Sequence, residues 1–289
     1  MYVITGASGN TGKLIAKTLL EAGKKVKVIS RNPDHVADLV TLGATAAIGN
    51  LNDAAFLTEA FRGAKAVYTL IPPAWDVTNW RQYQTQVGFA IASAVQAAGV
   101  PFAVNLSSQG AHLPEGAGPV SGLFYMEQML DSIPNLNVKH LRAGFFMQNF
   151  LNYKGMMQHL NLFGTSLKSD LKLPIVHVRD IAAVAAEELL SLGFQGSSVR
   201  FVAGAADRSM SEVTSVLGKF IGKTDLPYVQ FSPEDELQGA LQNGLAPAIA
   251  EGYRDLYHAL NYGEYQAGYV RDAASTTPTT LEWFAENEF

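Results

Sequence analysis

The chain has 289 residues, of which 48% are hydrophobic and 16% charged, the proportions of an ordinary globular protein. A net charge of −5 and the lack of any lysine- or arginine-rich tract argue against nucleic-acid binding. The absence of cysteine excludes disulfides and thiolate metal sites. The chain enters a strand at once instead of a signal peptide, and no apolar run approaches the roughly 20 residues that span a bilayer, so we expect a cytoplasmic protein without membrane contact.

The first residues carry the most informative pattern. A buried strand over Tyr2–Thr5 and an amphipathic helix over Lys13–Ala22 are predicted, with three glycines at a three-residue spacing between them. Such glycines allow a tight turn, close backbone approach to a pyrophosphate and close packing of helix on sheet, and the helix N-terminus offers free N–H groups. The pattern therefore predicts a dinucleotide site. The residues expected to bind the cofactor here are Gly6, Ser8, Gly9, Asn10, Thr11 and Gly12.

Strands and helices alternate through the first half of the chain. Asp53 is expected to cap one helix, and Asn32 to cap another that has proline in its first turn. Gly99 ends a long helix, and a further helix is predicted over about Val120–Asp131. This alternation predicts an α/β fold with a doubly wound, mostly parallel sheet of Rossmann type. The further predicted strands are Val26–Ile29, Ala44–Ile48, Ala66–Ile71, Phe102–Leu106 and Val138–Leu141.

A smaller region follows Gly144, where the alternation becomes irregular. A short strand near Val176 is predicted to end at Asp180, which would cap the helix Ile181–Leu190. Thr279–Glu282 fits a capping box for a last helix. The expected division is an NAD(P)-binding Rossmann domain over residues 1–144 and a smaller α/β substrate-binding region over residues 145–289, of which about 175–192 packs back onto the first domain.

The end of the second predicted strand indicates which dinucleotide is bound. An NAD-specific protein carries a carboxylate there for the ribose 2′-hydroxyl, whereas this chain has Ser30 and Arg31. A guanidinium can grip a 2′-phosphate through two parallel hydrogen bonds, and a carboxylate would repel it. Arg31 therefore predicts NADP(H), with a solvated loop arginine as the alternative.

These residues resemble the NmrA-like family, an atypical branch of the short-chain dehydrogenase/reductase superfamily that includes NADPH-dependent quinone reductases. The resemblance covers nearly the whole chain, and its most specific elements are the glycine turn and Arg31. The segments that support it in combination are Asn50–Asp53, Leu106–Ser108, Leu141–Asn149, Val178–Ala182 and Thr276–Leu281.

The resemblance implies a Rossmann domain that holds NADP(H) and a small C-terminal domain that closes a substrate cleft beside the nicotinamide. Asn50 stands where the family usually has an aspartate that contacts the adenine, and an amide there keeps the hydrogen bond without the charge. The further expected cofactor contacts are Arg31, Asn50, Leu51, Ile71, Pro72 and Ser107.

One departure concerns the superfamily's catalytic tyrosine and the lysine four residues after it. Matching the helix before Leu141 to that pattern places Leu123 and Glu127 at these positions, and neither can do that chemistry. Tyr125 lies about 200° around the helix from Leu123, which favours a packing or rim position. The catalytic residue is left open, and the candidates are Ser107, Ser108 and Tyr125.

The missing pair does not exclude quinone reduction, because a quinone can take a hydride and be protonated by solvent or by an ordinary hydroxyl. We expect an NADP(H)-dependent oxidoreductase that transfers hydride to quinones or related electrophilic carbonyl compounds. The alternative is a non-catalytic redox sensor that binds NADP(H) and acts through a protein partner, which Leu123 and Glu127 favour. A nucleotide-sugar epimerase comes third, since that reaction relies on the missing tyrosine.

The acceptor site is expected at the carboxyl ends of the strands, where an open sheet places ligand-contacting residues. The six histidines show no zinc-binding spacing, so no metal site is expected. For each apolar residue among the pocket candidates named next, core packing is the alternative role. The residues expected to line a pocket for a flat hydrophobic acceptor are Trp75, Gln109, Leu123, Phe145, Phe146 and Met147.

Overall fold

The structure, a computed structural model, describes residues 1–289. Short 3-10 turns link some of its helices and strands. In chain order the elements are β1 (Tyr2–Ile4), α1 (Asn10–Glu21), β2 (Val26–Ser30), α2 (Ala37–Thr41), β3 (Thr45–Ile48), α3 (Ala54–Phe61), β4 (Ala66–Thr69), α4 (Trp80–Ala97), β5 (Phe102–Ser108), α5 (Ser121–Asp131), β6 (Asn137–Ala143), β7 (Phe145–Phe146), α6 (Lys154–His159), β8 (Phe163–Thr165), β9 (Lys172–Val176), α7 (Val178–Ser191), β10 (Ser197–Val202), β11 (Asp207–Ser209), α8 (Met210–Phe220), β12 (Tyr228–Gln230), α9 (Pro233–Gln242), α10 (Pro247–Asn261) and α11 (Leu281–Asn287).

Seven parallel strands form the central sheet in the order β10-β6-β5-β4-β1-β2-β3. The chain runs from β1 to β2 and β3, returns to β4 on the other side of β1, and continues outward through β5 and β6 to β10. The predicted α/β fold with a doubly wound parallel sheet is confirmed. The seventh strand, β10, was not among the predicted strands.

Both faces of this sheet are buried, because successive side chains of a strand point to opposite sides. Ile4 of β1 packs into a core beneath α1 and α7, where Ile15 and Ile181 are fully buried. Val3 packs into the opposite core beneath α3, α4 and α5, together with Ile91. Burying each such side chain stabilises the fold by about 1.5–3 kcal/mol. The continuous apolar runs of the sequence are the consequence of this two-sided burial.

Several predicted helix starts are confirmed. The Asp53 carboxylate accepts a hydrogen bond from the Phe56 N–H at 2.9 Å and caps α3. The Asn32 side chain accepts one from the Asp34 N–H, also at 2.9 Å, and caps a 3-10 turn. Helix α1 begins at Asn10, three residues earlier than predicted, because the glycine turn leads directly into it.

Two predicted caps are wrong. The strand before α7 already ends at Val176, and the ring of His177 accepts the Arg179 N–H at 3.0 Å and caps the helix. Asp180 instead lies in the first turn, where its carboxylate binds the Thr279 N–H at 2.9 Å and the Thr279 hydroxyl at 2.5 Å. Because that hydroxyl is engaged, the next residue, Thr280, caps α11.

A smaller lobe covers the carboxyl edge of the central sheet. It contains a three-stranded sheet, β11-β9-β7, a two-stranded sheet, β12-β8, and the helices α6 and α8 to α11. At Gly118, just before α5, an added Cβ would lie 1.8 Å from the carbonyl oxygen of Gly252 in α10, so the two backbones are in direct contact. Division of the chain at residue 144 stays a prediction. None of the helices has the length and apolar character that crossing a membrane would require.

A chain of hydrogen bonds runs from buried polar side chains of the central strands to the exposed end of α5. The Thr69 hydroxyl donates to Asn105 at 3.0 Å, and the Asn105 amide donates to His140 Nδ1 at 3.1 Å. His140 Nε2 then donates to Asp131 at 2.9 Å, and the Ser197 hydroxyl donates to the same carboxylate at 2.6 Å. Burial opposes ionisation of Asp131, but these two donors outweigh it and hold the pKa of this carboxyl below its ordinary value.

We expect Asp131→Asn to lower the free energy of unfolding by about 1–2 kcal/mol at pH 7, because the charge-assisted hydrogen bonds become neutral ones. A carboxyl whose pKa is lowered by folding stabilises the protein above its unfolded pKa and loses that effect as the pH falls through the folded value. The difference between the two proteins should therefore shrink below about pH 4. Urea denaturation at pH 7 and pH 3 measures it. Asp225→Asn, at an exposed position, is the control and should show no difference.

Candidate functional site

The order of the strands reverses between β1 and β4, which lie side by side in the sheet. In open parallel sheets, ligands bind in the crevice that such a reversal creates beyond the carboxyl ends of the strands. The loops that meet at this edge follow β1 at Gly6, β2 at Arg31, β4 at Leu70 and β5 at Gln109. The fold therefore brings the loops that carry predicted cofactor and acceptor residues to the same edge of the sheet, at the carboxyl ends of its strands.

The glycine turn is tightly packed. Gly6 has a φ of +60°, which favours glycine, and an added Cβ there would lie 2.9 Å from a methyl carbon of Leu70. At Gly12 an added Cβ would lie 2.4 Å from the carbonyl oxygen of Gly6. Gly9 occupies the N-cap of α1 without any side-chain cap, so the first N–H groups of the helix face the crevice edge unpaired. This is the geometry of a pyrophosphate-binding turn.

The remaining residues of the turn differ in their exposure. Ser8 and Asn10 are exposed and can reach a ligand. Thr11 is buried, and its hydroxyl shares a 2.9 Å hydrogen bond with the hydroxyl of Tyr68 in β4. Complete burial raises the pKa of Tyr68 well above its ordinary value, so the phenol stays protonated. Thr11 therefore fastens α1 to the sheet through its side chain and can offer only its backbone to a cofactor.

The carboxyl ends of β2 and β3 carry polar side chains beside the turn. Arg31 is exposed and forms no ion pair with any carboxylate of the protein. Burial raises the pKa of Tyr83 in α4, and the positive charge of the nearby Arg31 lowers it in part. Asn50 is exposed, whereas Leu51 is 8% exposed and packs into the core beneath α3. Arg31 is thus a free cation at the place where a 2′-phosphate is expected.

Ser107 and Glu127 form a buried network with Arg142. The carboxylate of Glu127, 3% exposed, accepts the Ser107 hydroxyl at 2.5 Å and two hydrogen bonds from Arg142 at 3.1 and 2.6 Å. Glu127, the residue at the lysine position, therefore forms a hydrogen-bonded ion pair with Arg142. Because the Ser107 hydroxyl donates to this carboxylate, Ser107 has no hydrogen to offer a ligand.

Ser108, the next residue, faces the smaller lobe instead. Its hydroxyl lies 2.6 Å from the hydroxyl of Tyr265, which follows α10. Tyr265 is 7% exposed, and its ring packs against Gly110 so closely that an added Cβ there would lie 2.4 Å from a ring carbon. Gln109 is 2% exposed, and its amide nitrogen has no hydrogen-bond partner in the protein. The carboxyl end of β5 thus carries a serine–tyrosine pair beside an unsatisfied amide donor.

Helix α5 is the predicted catalytic helix, and its candidate residues lie on two different faces. Glu127 points inward to Ser107, and Leu123, one turn earlier on nearly the same face, is half-buried. Tyr125 is 42% exposed on the outer side, with the Arg81 guanidinium 5.6 Å from its ring centre. The structure thus places Tyr125 at the rim, as the helical spacing favours, and its catalytic role stays a prediction.

Aromatic residues from both lobes meet near the loop after β4. Trp75 is 52% exposed and lies parallel to Tyr253 of α10, with ring centres 6.3 Å apart and an angle of 6° between the planes. Ile71 and Pro72, earlier in the same loop, are half-buried. The pair presents a flat apolar surface on the small-lobe side of the crevice.

The aromatic segment after β6 is less available to an acceptor. Phe145 stacks at 5.3 Å on Phe150, and Phe146 packs against the core beneath α1 and α7. Met147 is 1% exposed inside the core of the smaller lobe, so the structure assigns it to packing and corrects its place among the pocket residues. Phe145 and Phe146 stay half-buried.

Sequence reasoning missed Tyr253 and Tyr265. Both come from the C-terminal part of the chain, where no motif surrounds them, and Tyr265 is separated from Ser108 by 157 positions. The only local signal was Gly110, whose lack of a side chain makes room for the Tyr265 ring. A glycine directly after a strand end is too common to indicate such a contact.

Comparison with known proteins places the chain in a family. The model of the NmrA-like family matches residues 2–284. An NAD(P)H azoreductase of Xenophilus azovorans is 27% identical over 99% of this chain and 96% of its own. The (4-alkanoyl-5-oxo-2,5-dihydrofuran-3-yl)methyl phosphate reductase of Streptomyces griseus is 26% identical over 88% of this chain and 84% of its own.

Two solved structures share the fold over almost their full length. An NADPH-dependent quinone oxidoreductase of Escherichia coli, complexed with NADPH, superimposes with a TM-score of 0.84 at 23% identity over 99% of this chain and 98% of its own. The triphenylmethane reductase of a Citrobacter species, complexed with NADP(H), gives a TM-score of 0.82 at 19% identity over the whole of both chains.

Substitution of Gly12 tests the glycine turn. We expect Gly12→Ala to lower NADPH affinity more than 10-fold and to cost about 1–3 kcal/mol of stability, because the new methyl group displaces the Gly6 carbonyl from the turn. Fluorescence titration with NADPH and thermal unfolding measure the two effects. Gly239→Ala is the matched control, since no atom lies within 4 Å of its added Cβ, and unchanged binding is expected there. Equal affinities in all three proteins would contradict a pyrophosphate site at this turn.

Proposed function

The chain belongs to the NmrA-like family, and on this premise we propose that it is an NADP(H)-dependent reductase of flat, electrophilic aromatic acceptors, with quinones as its first substrate class. The observation that carries the proposal is the convergence of three features at one crevice. These features are an uncapped helix N-terminus behind a glycine turn, a free arginine after β2, and an aromatic surface with a hydroxyl pair at the small-lobe side.

The residues present fit NADP(H). The turn from Gly6 to Gly12 binds the pyrophosphate through backbone N–H groups. Arg31 binds the 2′-phosphate, because it follows β2, the strand next to β1 in the sheet. An extended dinucleotide that places its adenosine over β2 and β3 places its nicotinamide over β4 and β5, because these strands lie on the other side of β1. The nicotinamide end then lies beside Ser108 and the loop that carries Trp75.

The acceptor class follows from the walls of the crevice. Trp75 and Tyr253 offer a planar apolar surface, which suits fused or conjugated rings. The relatives named as an azoreductase, a quinone oxidoreductase and a triphenylmethane reductase have names that refer to conjugated acceptors. A quinone is the choice among these because the crevice carries hydroxyl and amide donors that suit a carbonyl oxygen.

The chemistry needs little from the protein. The bound cofactor supplies a hydride, and a conjugated acceptor delocalises the charge that arrives with it. Leu123 therefore serves as an apolar neighbour that excludes water, where the superfamily has its acid. The ion pair of Glu127 with Arg142 joins α5 to β6, and the Ser107 hydroxyl ties β5 to the same carboxylate, which fixes the strand end on which Ser108 lies.

A second candidate is a redox sensor that binds NADP(H) without turnover. Leu123 and the fully paired Glu127 favour it, since neither can protonate a substrate. In this case the crevice would hold the cofactor alone, and the readout would be a partner-binding surface.

Single-turnover oxidation of bound NADPH decides between these candidates. We expect the absorbance of the reduced nicotinamide to disappear when a naphthoquinone is added to the loaded protein, at a rate far above that of NADPH and quinone in buffer. Oxidation that needs both protein and quinone supports the reductase. Tight NADPH binding without oxidation by quinone, azo or cationic dye acceptors would refute the reductase and favour the sensor.

Cofactor preference gives a separate test of Arg31. We expect Arg31→Ala to weaken NADPH binding about 10- to 100-fold and NADH binding less than about 2-fold, because only NADPH carries the 2′-phosphate. Calorimetric titration of both cofactors measures the ratio. Arg62→Ala is the control, since this exposed arginine follows α3 at the opposite edge of the sheet and pairs with Glu59. Equal losses for the two cofactors would show that Arg31 does not select the phosphate.

A further inference from the structure

Ser108 and Tyr265 are the only hydroxyl pair that joins the end of a central strand to the small lobe at this crevice. Their oxygen atoms lie 2.6 Å apart. Ser108 is half-buried and Tyr265 is 7% exposed, so the serine is the member that a bound ligand can touch. The tight contact of the tyrosine ring with Gly110 fixes the phenol in this position.

The direction of this hydrogen bond follows from acidity. A phenol is a stronger acid than an aliphatic alcohol, so Tyr265 donates and Ser108 accepts. Burial raises the pKa of Tyr265 more than its hydrogen bonds with Ser108 and the Gly110 backbone lower it, so the phenol keeps its proton at neutral pH. The hydroxyl hydrogen of Ser108 is then free to donate to a third group.

The neighbouring residue supplies an independent observation. Gln109 is 2% exposed and its amide nitrogen has no partner in the protein, a costly arrangement for a buried donor. Its backbone N–H donates to the Ala143 carbonyl at 3.0 Å, which holds the residue against the end of β6. This unsatisfied donor lies one residue from Ser108, at the same strand end.

We propose that Ser108 is the catalytic hydrogen-bond and proton donor to the acceptor's carbonyl oxygen, and that Tyr265 is the residue that positions and recharges it. The inference rests on the proposed reductase function. As hydride adds to a ring carbon of a quinone, a C–H bond forms, one carbonyl oxygen becomes an oxyanion, and the proton of Ser108 passes to it. Loss of the ring C–H proton to solvent and protonation of the second carbonyl oxygen by solvent then give the hydroquinone. The Tyr265 proton passes to Ser108, and solvent returns one proton to Tyr265. The balance is quinone, NADPH and H⁺ to hydroquinone and NADP⁺.

The choice of acceptor separates this role from a merely structural one. A cationic triphenylmethane dye takes a hydride to become a neutral product and needs no proton. A quinone needs one. Loss of a proton donor therefore slows quinone reduction and leaves dye reduction unchanged, whereas distortion of the crevice slows both.

We expect Ser108→Ala to lower kcat for a naphthoquinone about 100-fold, within the range of general acid catalysis, with NADPH affinity unchanged. Ser108→Thr retains the hydroxyl and should restore the rate to within about 3-fold of the parent. Tyr265→Phe should lower kcat about 10-fold and leave KM unchanged, since it acts through the serine. Tyr262→Phe, at a tyrosine that is 65% exposed, is the matched control and should behave as the parent protein.

Binding of a matched ligand pair gives a readout without turnover. We expect Ser108→Ala to weaken binding of 1-naphthol to the NADP⁺-loaded protein about 5- to 10-fold, the value of one hydrogen bond, and to leave naphthalene binding unchanged. Equal effects of Ser108→Ala on quinone and dye reduction, or unchanged naphthol affinity, would overturn the proposal. A parent protein that reduces no acceptor would refute the reductase itself, and the naphthol comparison would still test Ser108 as the donor.

Discussion

The close approach of the Gly12 Cα to the Gly6 carbonyl is the constraint on which the site depends. It allows α1 to start directly at the end of β1, so that unpaired N–H groups point across the crevice at the strand reversal. The hydrogen bond between Thr11 and Tyr68 fastens the same helix turn to β4. Because β4 is the strand on the other side of the reversal, one helix end fixes both walls of the crevice.

Two adjacent serines take different roles because a strand alternates its faces. Ser107 points beneath α5, where it and Arg142 neutralise Glu127, and Ser108 points to the small lobe and Tyr265. A shift of one residue in the register of β5 would bring the other serine to the crevice. The carboxylate of Glu127 therefore has a geometrical consequence, since it binds both Ser107 of β5 and Arg142, the residue opposite it in β6, and so holds that register.

Local chemistry could be predicted from the sequence, and distant contacts could not. The glycine turn, the cap at Asp53 and the cation at Arg31 each depend on residues within a few positions, so spacing alone indicates them. His177 was missed as a cap because a histidine ring serves only through an unprotonated nitrogen. Tyr265 lies 157 positions from its partner, and only the packing of the small lobe brings the two together.

The small lobe provides one partner in each of two contacts at the open side of the crevice. Trp75 stacks on Tyr253, and Ser108 bonds to Tyr265, and both tyrosines lie in or just after α10. The cofactor side is built from short, local turns of the large lobe, which tolerate little change. The two sides of the crevice therefore differ in origin, because the glycine turn is local to the first residues of the chain, whereas the aromatic and hydroxyl contacts depend on residues of α10 and of the turn after it.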